Sequence, residues 1–212
     1  MNLSNVKNQK WVIGVSGGPD SMALLDQVNK VQLKCFVVHV NYHKRETAQR
    51  DQRIVEDYCI KHSIPYSIED APDFLSGNFQ DQARRFRYHC MLEKVKALSY
   101  DAIVVAHHKD DDLETYLFQK KRNSNVDTYG LKELSYYKDC LLIRPLLQYS
   151  KQDLIDYCVQ NEITYGLDES NSDPKYSRNL ISKELTHMSK DEKQFFLWEK
   201  DERNKRYCDT GN

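Results

Sequence analysis

Two clusters of polar residues in this 212-residue sequence combine residue types and spacings that could support chemistry. The first is Ser16-Gly17-Gly18-Pro19-Asp20-Ser21, which stands between the apolar run Trp11–Val15 and the apolar spacing of a helix. Backbone amides at a helix N-terminus, together with the positive end of the helix dipole, bind anions, and phosphate is the obvious one. The second cluster, Ala106–Thr115 (AHHKDDDLET), concentrates imidazole and carboxylate groups after another apolar run, a composition suited to metal binding or proton transfer.

The loop at Ser16 differs from the Walker phosphate loop because it contains no lysine before Ser21. It contains Asp20 instead, and a carboxylate beside a phosphate is explained if it faces Mg²⁺ or a reacting group. The alternative interpretation is a glycine-rich strand-to-helix turn in which Asp20 only complements the helix dipole.

The second cluster also allows two interpretations. His107, His108, Asp110, Asp111 and Glu114 could surround one strand end and take part in chemistry. They could equally form an N-cap and an acidic first turn, with both histidines packed locally.

The elements that must position these residues alternate between strand and helix along the chain. Short β-branched runs precede Ser16, include His39 and precede His107, and helices are predicted from about 47 to 62 and from 79 to 98. This rhythm predicts an α/β fold with a doubly wound, mainly parallel sheet and a small helical C-terminal part. Ligands of such sheets collect at the carboxyl ends of the strands, where Ser16, His39 and His107 fall.

Composition favours a cytoplasmic enzyme. With 40% hydrophobic and 30% charged residues, the chain can bury one α/β core plus a small appendage. No run of 18 apolar residues and no signal-peptide core is visible, so we expect no membrane contact.

The net charge of −1 argues against a general nucleic-acid binder, although local basic clusters such as ARRFR could contact phosphates or simply form solvated helix faces. The six cysteines form no CxxC pair, and we expect them to be reduced and mostly buried.

The loop resembles the SGGxDS signature of the PP-loop ATP pyrophosphatases, which cleave ATP between the α- and β-phosphates and adenylate an oxygen of their substrate. Ala106–Thr115 resembles the HHxDDxxET segment of one branch of that superfamily, the tRNA(Ile)-lysidine synthases. Four further stretches agree with the same family, namely HVNYHKRETAQRD, QARRFRY, RPLLQYSKQDLIDYC and DESNSDPKYSRN. The resemblance runs in order from about Trp11 to Ile181.

The chain departs from the family pattern at several positions. Asp112 stands where the family usually has Gln, and Asn123 and Asn125 replace glycines of a glycine-rich loop. Asn is the residue other than Gly that best tolerates a left-handed backbone conformation, so we expect the loop to keep its conformation. Ser182 replaces a family Arg, and the C-terminal RNA-binding domains of most members do not appear.

The resemblance implies the reaction and its participants. Lysine would be ligated to C2 of the wobble cytidine of tRNA(Ile) with a CAU anticodon, through an adenylated cytidine, with AMP and pyrophosphate as the other products. ATP, Mg²⁺, this tRNA and free L-lysine are the expected ligands, Asp20 is the expected Mg²⁺ ligand, and a homodimer stays open. We expect a PP-loop ATP-binding catalytic domain at 1–149 and a helical extension on the substrate side at 150–212, without a separate C-terminal RNA-binding domain.

The resemblance also assigns residues to three roles. The expected catalytic residues are Asp20, Arg87, His107 and Asp111. The expected ATP-binding residues are Ser16, Gly17, Gly18, Pro19, Asp20, Ser21, His39 and Asn41. The expected tRNA or lysine contacts are Arg84, His108, Asp110, Glu114, Arg144, Asp168, Ser170, Asn171, Arg178 and Asn179. For any one residue of the second half, such as Arg178, a surface ion pair or a turn is an equally good interpretation.

Two other functions remain open. A tRNA thiolase of the same superfamily would typically need cysteine pairs, which this sequence lacks. A nucleotide-binding adaptor without catalysis is suggested by the altered glycine loop, and the retained Asp20, Arg87, His107 and Asp111 argue against it.

Overall fold

The computed structural model describes residues 8–43, 47–73, 79–167, 181 and 184–209. Strands and helices alternate through most of this chain. In order they are β1 (Trp11–Gly14), α1 (Pro19–Lys30), β2 (Cys35–Asn41), α2 (Ala48–Lys61), β3 (Tyr66–Asp70), α3 (Phe79–Leu98), β4 (Ala102–Val105), α4 (Lys109–Lys121), β5 (Leu134–Tyr137), β6 (Cys140–Ile143), α5 (Lys151–Gln160) and α6 (Lys190–Asp209).

The strands form one sheet in the order β3-β2-β1-β4-β6-β5. All neighbours pair in parallel except β5 and β6, which form an antiparallel hairpin at the edge. Strand order reverses at β1, which lies between β2 and β4, and this switch point is where α/β sheets bind ligands. The predicted doubly wound, mainly parallel sheet is therefore confirmed.

Helices cover both faces of the sheet, and the side chains of the central strand β1 are accordingly apolar on both faces. Trp11 and Ile13 point into the core cluster that contains residues of α1, α2 and α5, whereas Val12 points into the cluster built with α3. This alternation follows from the two-residue period of a strand. All three side chains are completely buried.

The C-terminal part is helical, as predicted. Helix α5 packs on α1, and its Leu154 and Cys158 belong to the same core cluster as Trp11. Helix α6 packs on α4, with a smaller apolar cluster between them. The boundary at residue 149 stays a prediction, but α5, which lies beyond it, is part of the main core.

The cysteines and helices bear on two further expectations. Cys35, Cys59, Cys90, Cys140 and Cys158 are free thiols and buried, as expected. Within the ranges that the structure describes, no helix is both long and apolar enough to cross a bilayer.

Candidate active site

The loop after β1 makes a tight turn that only glycine fits at residue 17. Gly17 has a φ of 89°, and a Cβ there would stand 2.8 Å from the backbone oxygen of Asp51 at the start of α2. The Gly17 carbonyl in turn accepts a hydrogen bond of 2.8 Å from the amide of Gly166. The loop is thus held between α2 and the chain that follows α5.

In the part of the chain that the structure describes, the N-cap side of α1 makes no side-chain capping bond to the backbone amides of the first turn. Gly18 is the N-cap and offers no side-chain acceptor to the first turn of the helix, while Pro19 occupies the first helical turn. The Ser21 hydroxyl organises the turn, because it accepts from the Ser16 amide at 3.1 Å and donates to the Gly18 carbonyl at 3.0 Å. Free amides at a positive helix end form an anion site.

A cleft of about 320 Å³ opens beside this loop, a size within the range of small-molecule sites. Of the predicted ATP-binding residues, it is lined by Ser16, Gly18, Pro19, Asp20, His39 and Asn41. The remaining two, Gly17 and Ser21, are buried behind the lining.

One end of the cleft is apolar. Tyr42 and Phe79 line it with their rings 5.9 Å apart in an edge-to-face arrangement, and Val40 and Leu167 also belong to the lining of the cleft. An aromatic ring fits such a wall better than a charged group does.

His39 and Asn41 form the buried polar part of the cleft, at the end of β2. The Nδ1 of His39 lies 2.9 Å from the Val15 carbonyl and therefore carries a proton that it donates. Burial lowers the pKa of His39, although this hydrogen bond partly opposes the shift. Asn41 donates to Gln52 Oε1 at 2.8 Å, which fixes its side chain.

Three residues from the two sequence clusters meet next to the loop. His108 Nε2 lies 3.3 Å from Asp111 Oδ2 and 3.6 Å from Asp20 Oδ2. His108 Nδ1 accepts a hydrogen bond of 3.2 Å from the Asp110 amide, so in the neutral ring the proton lies on Nε2, toward both carboxylates. We call Asp20, His108 and Asp111 the acid–imidazole cluster.

The surroundings of the Asp20 carboxylate favour its binding of a proton or a cation. Burial raises the pKa of Asp20 above its ordinary value of 3.8, while His108 and Lys151 act against the rise. Among the described residues, no group hydrogen-bonds to its buried Oδ1.

His108 and Asp111 also cap α4. The His108 side chain accepts from the first turn of the helix, and Asp111 Oδ2 accepts from the His108 amide at 2.8 Å, which forms a capping box. The N-cap and acidic first turn that the HHKDDD segment predicted are therefore present at the start of α4. These capping contacts also place the same side chains beside Asp20. Capping and chemistry are compatible in this segment.

His107 faces away from this cluster toward β6. Its Nδ1 accepts a hydrogen bond of 3.1 Å from Arg144 Nε, so its second nitrogen carries the proton when the ring is neutral. Arg144 is buried, and it also donates to the Lys132 carbonyl and the Ser135 hydroxyl at 2.8 Å each. The adjacent histidines thus have different partners, and a base role for His107 stays a prediction.

Asp110 joins three helices at the rim of the site. Its Oδ1 accepts from Lys193 of α6 at 2.7 Å, and its Oδ2 accepts from the Lys151 amide at the start of α5 at 3.0 Å. Burial alone would raise the pKa of Asp110, but these hydrogen bonds outweigh it and lower the pKa. Glu114 lies one turn farther along α4 and is half-buried.

Arg84 and Arg87 lie on α3, and both have their guanidinium groups near the ring of Tyr88. Their guanidinium carbons lie 4.8 and 5.8 Å from the centre of the Tyr88 ring. Neither arginine lines the cleft. A catalytic role for Arg87 at the phosphates stays a prediction.

The departures from the family pattern have structural partners of their own. Asp112 is buried, accepts from the Leu131 amide at 2.6 Å and pairs with Lys200 of α6. Asn123 has a φ of 46°, so asparagine does adopt the left-handed conformation there, as the sequence suggested, whereas Asn125 lies outside that region.

Eight of the lining residues were absent from the predicted set, and two of these eight carry charged side chains. Asp51 and Lys151 border the cleft, and both belong to stretches that matched family motifs, HVNYHKRETAQRD and RPLLQYSK. The motif matches therefore contained the signal. The predicted substrate contacts Asp168, Ser170, Asn171, Arg178 and Asn179 lie outside the described residues, as does Ser182.

Comparison with known proteins supports the resemblance seen in the motifs. The tRNA(Ile)-lysidine synthase of Mycoplasma pneumoniae is 37% identical over 189 residues, which cover 88% of this chain and 65% of that protein. The enzyme of the same name from Ureaplasma parvum is 38% identical over 197 residues, with 90% and 58% covered. The chain thus spans less than two thirds of the length of either relative.

A solved structure with a similar fold is the U34-tRNA thiolase NcsA from Methanococcus maripaludis, which contains a [4Fe-4S] cluster. The TM-score is 0.73 over 94% of this chain and 72% of that one. At 16% sequence identity this similarity concerns the fold alone.

The profile of the PP-loop domain family matches residues 1–189. This range contains the phosphate-type loop at the start of α1, the complete six-stranded sheet and the acid–imidazole cluster. The chain therefore belongs to the PP-loop family.

Proposed function

We propose that this protein ligates lysine to C2 of the wobble cytidine of tRNA(Ile) with a CAU anticodon, using ATP. The cytidine would first be adenylated, and the products would be lysidine, AMP and pyrophosphate. The relatives that are 37 and 38% identical to the chain over 189 and 197 aligned residues bear the name of this enzyme. The observation that carries the proposal is the position of the acid–imidazole cluster at the mouth of the anion site.

The cleft supports the binding of ATP. The amides at the start of α1 would hold its phosphates, and the apolar wall of Tyr42 and Phe79 would pack against the adenine ring. The loop contains no lysine to grip a transferring γ-phosphate, which favours cleavage at the α-phosphate.

In the first step, O2 of the cytidine would attack the α-phosphorus, and the bond to pyrophosphate would break. Negative charge then increases on the phosphate oxygens. Donors already fixed in place stabilise such charge most effectively, and the loop before α1 is fixed by the Ser16–Ser21 contacts and by the Gly166 hydrogen bond.

In the second step, the ε-amino group of lysine would attack C2, the C2–O2 bond would break, and AMP would leave with O2 as one of its phosphate oxygens. The amine must be neutral to attack, so its proton needs an acceptor. Asp111 suits this role because its Oδ2 already contacts His108 Nε2 at 3.3 Å and a third of its side chain is exposed. His108 would keep Asp111 in position, since the two form the capping box of α4.

Mg²⁺ fits the donor set at Asp20. Mg²⁺ is commonly held by one or two carboxylates together with substrate phosphates, and the buried Oδ1 of Asp20 has no hydrogen-bond partner in the described part of the chain. When bound, the ion would neutralise charge on the phosphates. Asp20 is the residue of this chain that would hold it.

The test is incorporation of labelled lysine into RNA. The protein, ATP and labelled lysine are incubated with tRNA(Ile) bearing CAU, and with a version in which the wobble cytidine is replaced by uridine. We expect label in the first RNA alone and only in the presence of ATP. Labelling of both RNAs, or of neither while ATP is bound, would contradict the proposal.

A further inference from the structure

One lysine of α6 is connected to the edge of the cleft through a single carboxylate. Helix α6 begins at Lys190, directly after the residues that match the PP-loop profile. Lys193 Nζ donates to Asp110 Oδ1 at 2.7 Å, and Asp110 Oδ2 accepts from the Lys151 amide at 3.0 Å. Lys151 in turn lines the cleft beside the phosphate-type loop. We call Lys193, Asp110 and Lys151 the three-helix contact.

Both oxygens of the Asp110 carboxylate accept hydrogen bonds from other helices of the protein. Asp110 lies in the first turn of α4, and Lys151 is the first residue of α5, so one carboxylate lies at the N-termini of two helices. Negative charge is favourable at a helix N-terminus, and hydrogen bonds to an ionised acceptor are stronger than neutral ones. Asp110 therefore fixes the start of α5 against α4, and Lys193 fixes the direction of the carboxylate.

The start of α5 matters for the cleft because of the charge that it carries. Within the described residues, Lys151 is the only lysine or arginine of the lining, whereas Asp20 and Asp51 are acidic. Burial raises the pKa of Asp20 and the charge of Lys151 counteracts the rise, so the ammonium lies near that carboxylate and the loop. ATP is negatively charged, and only this side chain of the lining offers it an ammonium. A shift of the helix start would therefore weaken the binding of ATP.

Lys193 contributes little to holding α6 in place, which separates its role from a structural one. Phe196 and Leu197 of α6 pack on the apolar cluster of α4, and these contacts do not involve Lys193. Lys200 pairs with Asp112 in the same interface. The Lys200 side chain is 12% exposed, whereas that of Lys193 is 31% exposed. Water screens an ion pair of the latter kind, so it stabilises the fold only slightly.

We propose that Lys193 is a positioning residue for the nucleotide cleft, which acts through Asp110 on the start of α5 and on Lys151. No residue of α6 among those described lines the cleft, so the influence of this helix on the nucleotide passes through the three-helix contact. This role rests on the ATP-binding part of the proposed function and is independent of RNA and of lysine transfer.

The experiment measures ATP affinity by calorimetry and stability by thermal unfolding for wild type, Lys193→Met and the matched control Lys200→Met. Both variants remove a lysine of α6 that pairs with a carboxylate of α4, but the partner of Lys200 accepts from the Leu131 amide instead of from α5. We expect Lys193→Met to bind ATP about tenfold more weakly, with a small loss of stability. We expect Lys200→Met to lose more stability and to bind ATP within about twofold of wild type.

Two further variants test the route of the effect. Lys193→Arg keeps a cationic donor for Asp110 and should bind ATP within about threefold of wild type. Lys151→Met should itself weaken ATP binding, and adding Lys193→Met to it should have less than about a twofold further effect, because residues that act through one another are not additive.

Three results would overturn the positioning role of Lys193. The first is a wild-type ATP affinity in Lys193→Met. The second is an equal loss of ATP affinity in Lys193→Met and Lys200→Met, which would show that any loosening of α6 is sufficient. The third is full additivity of Lys193→Met and Lys151→Met.

These results are separable from the proposed function. If wild type incorporates lysine into RNA while Lys193→Met binds ATP normally, only the positioning role fails. If wild type binds ATP but incorporates no lysine, and Lys193→Met binds ATP more weakly, the positioning role stands and the proposed reaction fails.

Discussion

Replacing Gly17 by alanine tests whether the loop geometry is as constrained as the structure indicates. An alanine at a φ of 89° adopts a conformation unfavourable for L-residues by about 1–2 kcal/mol. Its Cβ would also stand 2.8 Å from the backbone oxygen of Asp51, so either the loop or the start of α2 must move. Together we expect a loss of about 2–4 kcal/mol, comparable to other strained backbone sites.

Gly18→Ala is the matched control, one residue along the same loop. Gly18 has a φ of −74°, and the nearest atom to an added Cβ is Ser16 Oγ at 3.5 Å, an ordinary contact. The expected loss is below about 1 kcal/mol, mainly from the weaker N-cap.

Urea unfolding of wild type and both variants gives the free energies of unfolding, and calorimetry gives their ATP affinities. We expect Gly17→Ala to lose at least about 2 kcal/mol of stability, or else to retain stability by displacing the loop and lose ATP binding instead. Gly17→Ala with the stability and ATP affinity of Gly18→Ala would refute this account of the loop.

Three further predictions concern the acid–imidazole cluster and the supports of the site. Asp111→Asn keeps an oxygen to cap α4 but cannot accept a proton, so lysine transfer in single turnover should fall by roughly 10² or more with ATP affinity little changed; near-normal transfer would rule out Asp111. Burial would raise the pKa of Asp26, but hydrogen bonds from two tyrosine hydroxyls and a lysine outweigh it, so its pKa lies below 3.8. Asp26→Asn should therefore have a free energy of unfolding about 2 kcal/mol lower than that of wild type at neutral pH, and this difference should shrink as pH falls below 3.8 through the folded pKa. Urea unfolding at several pH values measures the difference, and a pH-independent value would contradict this prediction. Lys200→Met leaves Asp112 buried without its ammonium partner and should lower the free energy of unfolding by about 3 kcal/mol, whereas Lys205→Met on the exposed side of α6 should leave thermal stability unchanged. Equal melting temperatures for the two variants would argue against a buried pair.

The sheet and its main helices could be predicted from the sequence because their patterns are local. The bounds 79–98 predicted for a helix are those of α3, and the apolar runs before Ser16 and His107 mark β1 and β4. The hairpin was missed because Leu134–Tyr137 has two strongly exposed apolar residues, Leu134 and Tyr136, and reads as a loop. An edge strand has a neighbouring strand on one side only, so fewer of its side chains are buried and its apolar pattern in the sequence is weaker.

The site could be predicted by region but not by orientation. Sequence placed His107 and His108 at one strand end, yet successive residues there point in different directions, and only the path into α4 decides which one meets Asp20. The lysines of α6 lie 83 and 88 residues from their carboxylate partners, Asp110 and Asp112. No local pattern encodes contacts over that separation, whereas the phosphate-type loop is encoded by six consecutive residues.

The most direct test of the central claim follows ATP and RNA in one reaction. The protein is incubated with α-labelled ATP, lysine and tRNA(Ile) bearing CAU, the nucleotide products are separated, and the wobble nucleoside is identified by mass spectrometry. We expect AMP and pyrophosphate in equal amounts, with one lysine joined to the wobble cytidine for each AMP formed. ADP and orthophosphate as the products, or an unmodified cytidine after AMP release, would contradict it.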